Sequence, residues 1–289
     1  MPRFARIAVL VAAPLLAVPV VANALTSPAS ATAARTAAGA AVPADWSAPG
    51  PYAVTVDKAT NHTIYRPSTL AANGVPNPVV IWGNGTGATP AAYDGMLRHW
   101  ASQGFVVAAA NTTQSNDGTD MREGLDVLAK RNGNASSPYY RKVDLSKVVS
   151  AGHSQGGAGA LNAAQYDSRV DAVLPIQPGP LATPGWVRQP TFYMSGQNDD
   201  IVQPSWVLGD YNGSGNRPAI YGEVRGANHF APAGDGGVFR GPTTAWLHFM
   251  LRDDPAARAA FAGPDCGYCG DTQLFSKWLR NTKFTAAYN

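Results

Sequence analysis

Short apolar runs separated by longer polar or amphipathic stretches recur from about residue 50 onward. Such runs, rich in β-branched residues and bounded by turn formers, predict buried strands. Strands are expected at residues 52–56, 63–65, 79–82, 105–110, 148–151, 172–176, 191–195 and 219–224. Stretches with helical spacing predict helices at 91–102, 119–130, 156–164, 243–251 and 255–261. Two strands open the series without a helix between them, which suits an antiparallel start. Strand and helix then alternate. That order predicts an α/β protein with a mostly parallel central sheet flanked by helices on both faces.

The first 44 residues follow a different pattern. Arg3 and Arg6 precede an apolar stretch, residues 7–21, that is broken by Pro14 and Pro19. Ala22-Asn23-Ala24 then supplies a small-residue cleavage site. This is the layout of a secretory signal peptide at 1–24, so the mature protein is expected outside the cell. The apolar stretch is short for a membrane span, and no stable membrane insertion is expected. Residues 25–44 are rich in Ala, Thr, Ser and Pro and read as a linker without apolar periodicity. What remains, 45–289, is long enough for one catalytic domain with a sizeable core.

Composition narrows the function. The formal net charge is +3, only 14% of residues are charged, and no basic run occurs. That is a poor footprint for nucleic acid. The two cysteines, Cys266 and Cys269, have no further zinc ligands at sensible spacing. In an oxidising compartment they are expected as a disulfide. No metal and no cofactor are expected, and the protein is read as a monomer.

The candidate chemistry begins at Gly152-His153-Ser154-Gln155-Gly156, directly after the apolar run that ends at Ala151. A Gly-x-Ser-x-Gly element between a strand and a helix lifts the serine clear of the sheet as a nucleophile. Glycines two residues either side avoid collision with the neighbouring strand and helix. An acid and a histidine should follow in that order on later loops. Asp199 and Asp200 lie just past the strand at 191–195, and only one of them can face the histidine. His229 alone among the five histidines lies in a loop after a late strand. Ser154 would be the nucleophile and His229 the base, with the acid fixing the imidazole tautomer. The oxyanion would need two backbone N–H donors. Gln155 follows the nucleophile and is one. Asn84, in the Gly83-Asn84-Gly85-Thr86-Gly87 loop, is read as the other, with a neighbour in that loop as the alternative. His153 is expected to pack beside the elbow.

Several segments resemble the secreted bacterial cutinase and polyester (PET) hydrolase group of the α/β-hydrolases. Ser102 to Val107 is similar to the group's SHGFVV, and Gly152 to Gly157 to its GHSMGG, with Gln155 in the Met position. Asn198-Asp199-Asp200-Ile201 is similar to NDSI or LDTI, which selects Asp199 as the acid. Gly226 to Pro232 is similar to GASHFAP at the catalytic histidine, and Ala245-Trp246-Leu247 to the start of AWLK. The resemblance runs from about Tyr52 to Phe261. It implies a secreted serine esterase acting on small-molecule or polymeric esters through an acyl-enzyme.

Two departures bear on substrate. The group carries an aromatic residue after the oxyanion-loop glycine, a position read here as Asn84. It also carries a Pro-Trp pair where this chain has Pro178-Gly179. Loss of both aromatics predicts weak action on aromatic polyesters, with Trp186, a few residues beyond Gly179, the one nearby ring that could take their place. The glycine-rich loop also resembles chlorophyllase-like hydrolases, and an acyltransferase would share the acyl-enzyme. A dinucleotide-binding reading of Gly83-x-Gly85-x-x-Ala88 fails on its next element. The expected acidic residue about 20 positions on is Asn111 here.

Overall fold

The computed structural model describes residues 45–289. The signal-peptide and linker segments read at 1–24 and 25–44 lie outside the described residues. In chain order the elements are β1 (Val54–Lys58), β2 (His62–Pro67), β3 (Asn77–Gly83), α1 (Asp94–Ser102), β4 (Val106–Ala110), α2 (Thr119–Gly133), β5 (Val143–His153) and α3 (Gln155–Tyr166). They continue with β6 (Ala172–Ile176), β7 (Thr191–Gly196), α4 (Pro204–Asn212), β8 (Ala219–Val224), α5 (Arg240–Arg252), α6 (Pro255–Phe261), β9 (Phe275–Arg280) and α7 (Thr282–Tyr288).

All nine strands form one sheet in the order β1-β2-β4-β3-β5-β6-β7-β8-β9. The strands from β3 to β8 run parallel, while β1, β2 and β9 add antiparallel edges. Every residue of β3, β4, β6 and β7 is buried, as expected of strands covered on both faces.

Alternation along those strands divides the core in two. Val80, Trp82, Val107, Val149, Leu174, Phe192 and Ile220 face α1, α5 and α6. Their sequence neighbours Val79, Ile81, Val106, Val148, Val173, Tyr193 and Tyr221 face α2, α3 and α4. On the first face Phe192 meets Trp246, Phe261 and Trp278 at ring separations of 5.6, 5.3 and 5.5 Å. Truncating one such buried ring costs about 3–5 kcal/mol, so this cluster anchors α5 and α6 to the sheet.

The disulfide joins Cys266 to Cys269. Between them Tyr268 packs on Phe261, Phe275 and Trp278. The short loop thus fastens that ring onto the aromatic cluster.

Several elements differ from expectation. The predicted helix at 91–102 begins as a 3-10 turn, Pro90–Tyr93, before α1. β9 and α7 were not expected at all. Lys277 and Arg280 interrupt the apolar run of β9, and its pairing with β8 supplies what the local pattern lacks.

Candidate active site

The C-terminal ends of β3, β5, β7 and β8 share one edge of the sheet, and each feeds a loop that carries site residues. Ser154 occupies the turn between β5 and α3 with φ +56 and ψ −122, a conformation that costs a non-glycine residue on the order of 1–3 kcal/mol. The flanking glycines make that turn possible. A Cβ on Gly152 would lie 2.1 Å from the carbonyl oxygen of Gly156, and one on Gly156 would lie 2.1 Å from that of Gly83.

Three side chains then meet in line. Ser154 Oγ lies 2.9 Å from His229 Nε2, and His229 Nδ1 lies 2.8 Å from Asp199 Oδ2. The Asp199 carboxylate is fully buried, and its Oδ1 accepts the N–H groups of Ile201 and Val202 at 3.0 and 2.8 Å. An acceptor-only carboxylate on Nδ1 requires the proton there. Nε2 is therefore the acceptor for the serine hydroxyl. Asp200 is exposed and, among the described residues, makes no side-chain hydrogen bond.

The backbone N–H of Gln155 heads α3 and has no acceptor among the described residues. Its side chain turns away from Ser154. Oε1 accepts the Ser115 N–H at 2.9 Å, and Nε2 donates to Gln114 Oε1 at 2.8 Å.

Asn84 lies beneath the loop. Its N–H donates to Ser115 Oγ at 3.1 Å, and its side chain is fully buried between Trp82, Ala110 and Thr112. It is a structural residue under the loop, with no N–H to spare. The N–H of Gly85 is also engaged, by Tyr93 Oη at 3.1 Å. Thr86 is the next residue; it is exposed, and its N–H has no partner among the described residues.

Gly179 does border the elbow. Its N–H donates to the Ser154 carbonyl at 2.9 Å, and a Cβ placed there would lie 3.6 Å from Gln155 N. Exposed apolar side chains flank the histidine and acid: Phe230, 68% exposed, stands beside His229, and Ile201, 49% exposed, follows Asp200.

His153 does more than pack. Tyr93 Oη lies 2.8 Å from its Nδ1, and its Nε2 lies 2.9 Å from the His229 carbonyl and 3.1 Å from Gln177 Oε1. Gln177 Nε2 donates in turn to the Asn228 carbonyl at 2.9 Å. Burial, reinforced by the nearby His229, pushes the His153 pKa down to about 4. Tyr93 and Gln177 carried no motif and were not expected here.

Sheet order and serine turn together are those of the α/β-hydrolases. Comparison with known proteins narrows the class. A family model described as PET hydrolase-like matches residues 37–268, and the chain belongs to that family. It is 28% identical over 244 residues to Cutinase est2 of Thermobifida alba, covering 78% of this chain and 79% of that protein. It is 30% identical over 220 residues to Cutinase 1 of Thermobifida cellulosilytica, covering 74% and 82%. It is also 27% identical over 169 residues to Lipase 1 of Moraxella sp. (strain TA144), covering 56% and 53%. The protein is a carboxylic ester hydrolase of the cutinase and polyesterase type.

Proposed function

We propose that the protein is a secreted serine esterase that works through an acyl-enzyme, with Ser154 as nucleophile, His229 as base and Asp199 as orienting acid. The observation that carries this reading is the unbroken line from Ser154 Oγ through His229 to Asp199 at 2.9 and 2.8 Å. As Oγ attacks the ester carbonyl, its proton passes to His229 Nε2. The buried carboxylate stabilises the imidazolium that forms. The carbonyl oxygen becomes an oxyanion held by the N–H groups of Gln155 and Thr86. The C–O bond to the alcohol then breaks, and the alcohol leaves with the proton from Nε2. Water repeats the sequence on the acyl-enzyme, releases the acid and restores Ser154.

The substrate reading follows from the walls. Thr86 and Gly179 offer no ring beside the nucleophile, so soluble or short-chain esters are favoured over aromatic polyesters. Secretion is supported by the sequence at 1–24, with cleavage after Ala24. Stoichiometric labelling of Ser154 by a fluorophosphonate, lost in Ser154→Ala, tests the nucleophile. A panel from nitrophenyl butyrate through triglycerides to polyester film tests the substrate, and the mass of exported protein tests the cleavage. An unlabelled wild-type enzyme that still hydrolyses butyrate would refute the acyl-enzyme reading.

A further inference from the structure

One chain of buried hydrogen bonds ties the oxyanion loop to the histidine loop. It starts at the Gly85 N–H, which donates to Tyr93 Oη at 3.1 Å. It passes from Tyr93 Oη to His153 Nδ1 at 2.8 Å. It ends at the carbonyl of His229, 2.9 Å from His153 Nε2. Proton directions are fixed throughout. The His229 carbonyl and Gln177 Oε1 can only accept, so His153 carries its proton on Nε2. Nδ1 must then accept the Tyr93 hydroxyl, whose oxygen is left to accept from Gly85.

Tyr93 and His153 are 3% exposed each, so no bulk water replaces a lost member of this chain. Gly85 packs closely on the same groups. A Cβ there would lie 2.9 Å from Tyr93 Oη, 3.3 Å from His153 Nδ1 and 3.5 Å from Ser154 Cβ.

From this geometry, and resting on the esterase reading above, we infer that Tyr93 and His153 are positioning residues that set the oxyanion loop and the base in one frame. Tyr93 holds the Gly85 N–H away from the reacting carbon, which leaves the Thr86 N–H as the donor next in line. His153 holds the backbone of His229 at the height from which Nε2 reaches Ser154. A frame that fixes donor and base together serves the transition state, where both act at once, more than the bound ester.

The test uses Tyr93→Phe, His153→Phe, the double variant and a control, Tyr139→Phe. Tyr139 is 1% exposed, and its hydroxyl binds Asp57 far from this network, so the control also loses a buried hydroxyl. Tyr93→Phe is expected to lower kcat for nitrophenyl butyrate about 10- to 100-fold, the loss typical of small misplacements of reacting groups. KM should stay within about twofold, and affinity for a boronic-acid transition-state analogue should fall with kcat. The control should lose thermal stability but keep kcat. Because the two side chains act as one unit, the double variant should be no slower than the worse single one.

Wild-type kcat in Tyr93→Phe, with a stability loss like the control, would overturn the inference. Strictly multiplicative losses in the double variant would do the same. If Tyr93→Phe does not fold, His153→Phe carries the same kcat, KM and analogue measurements. Fluorophosphonate labelling separates the two levels. Full but slow labelling of the variants supports the positioning role, and full labelling at the wild-type rate overturns it. No labelling of the wild type sinks the esterase reading, and the positioning role falls with it.

Discussion

His229 Nδ1 faces Asp199 Oδ2 across 2.8 Å. The other oxygen of that carboxylate is held by the N–H groups of Ile201 and Val202. An asparagine at this position would keep its carbonyl on those two donors and present its NH₂ group to the imidazole. His229 would be driven into the wrong tautomer, with no lone pair for the serine. Asp199→Asn should therefore cost about 10³- to 10⁴-fold in kcat. Asp200→Asn, at an exposed carboxylate, should change it little. Steady-state kinetics on nitrophenyl butyrate decides, and the reverse ranking would move the acid by one residue.

Ser154→Ala and His229→Ala should each reduce kcat by about 10⁴-fold or more. Melting temperatures should stay near that of the wild type, since neither side chain is part of the apolar core. The double variant should be no worse than either single one, because neither residue works without its partner. Substantial turnover in one single variant would show that a different residue attacks.

The sequence made the central sheet legible because its inner strands are apolar on both faces, and such runs stand out from the loops between them. Residues 172–176 and 219–224 were read to the residue for that reason. Ser154 and His229 were legible because chain order and loop position constrain them. The engagement of the Asn84 N–H was not legible, since a loop residue's backbone N–H reveals its partner only once Ser115 is brought to it across 31 positions. Tyr93 was invisible for the same reason, joined to His153 across 60 positions. β9 was missed because an edge strand carries charged residues, and its neighbour decides its conformation.

The proposed substrate preference rests on Thr86 and Gly179. An aromatic ring packed well against another contributes about 0.5–1.5 kcal/mol beyond area burial. Two missing contacts amount to about a 10- to 100-fold loss in binding the ring of an aromatic polyester. Release of soluble aromatic acid from amorphous film should therefore be slow, with nitrophenyl butyrate turnover proving the enzyme active. The double change Thr86→Tyr and Gly179→Trp should raise film release and keep butyrate turnover. Film degradation by the unchanged enzyme at the rate of an efficient polyester hydrolase would refute the argument.

Acid should destabilise the fold through buried histidines. His248 is packed between Trp46 and Phe105, and neither ring nitrogen has a hydrogen-bond partner among the described residues. Burial, helped by Arg252 and His99 and opposed by Asp254, pushes its pKa from 6.5 down to about 4. His153 is depressed to about 4 as well. Between pH 6.5 and 4 the unfolded chain binds protons that these folded histidines refuse, so stability falls as pH falls through that window. Each contributes up to about 3 kcal/mol of loss at the acid end. Asp210, raised by burial to about 6, acts in the opposite sense between 3.8 and 6 and offsets part of it. Thermal unfolding should show a lower Tm at pH 5 than at pH 7. His248→Phe should shrink that difference, and an unchanged difference would clear His248 of the effect.

β9 closes the edge of the sheet beside the histidine loop. The loop bearing His229 hangs from β8, whose outer edge is covered by β9, and Arg225 at the loop's start is tied to Leu274 and Thr272 beside that strand. A ribosome delivers Ser154, Asp199 and His229, in that order, before it delivers residues 275–280. Until then β8 presents a bare row of N–H and C=O groups, and the histidine loop lacks one of its walls. A chain that held all three residues but lacked β9 would keep that edge unpaired. Without β9, that edge is where a misdirected strand would bind.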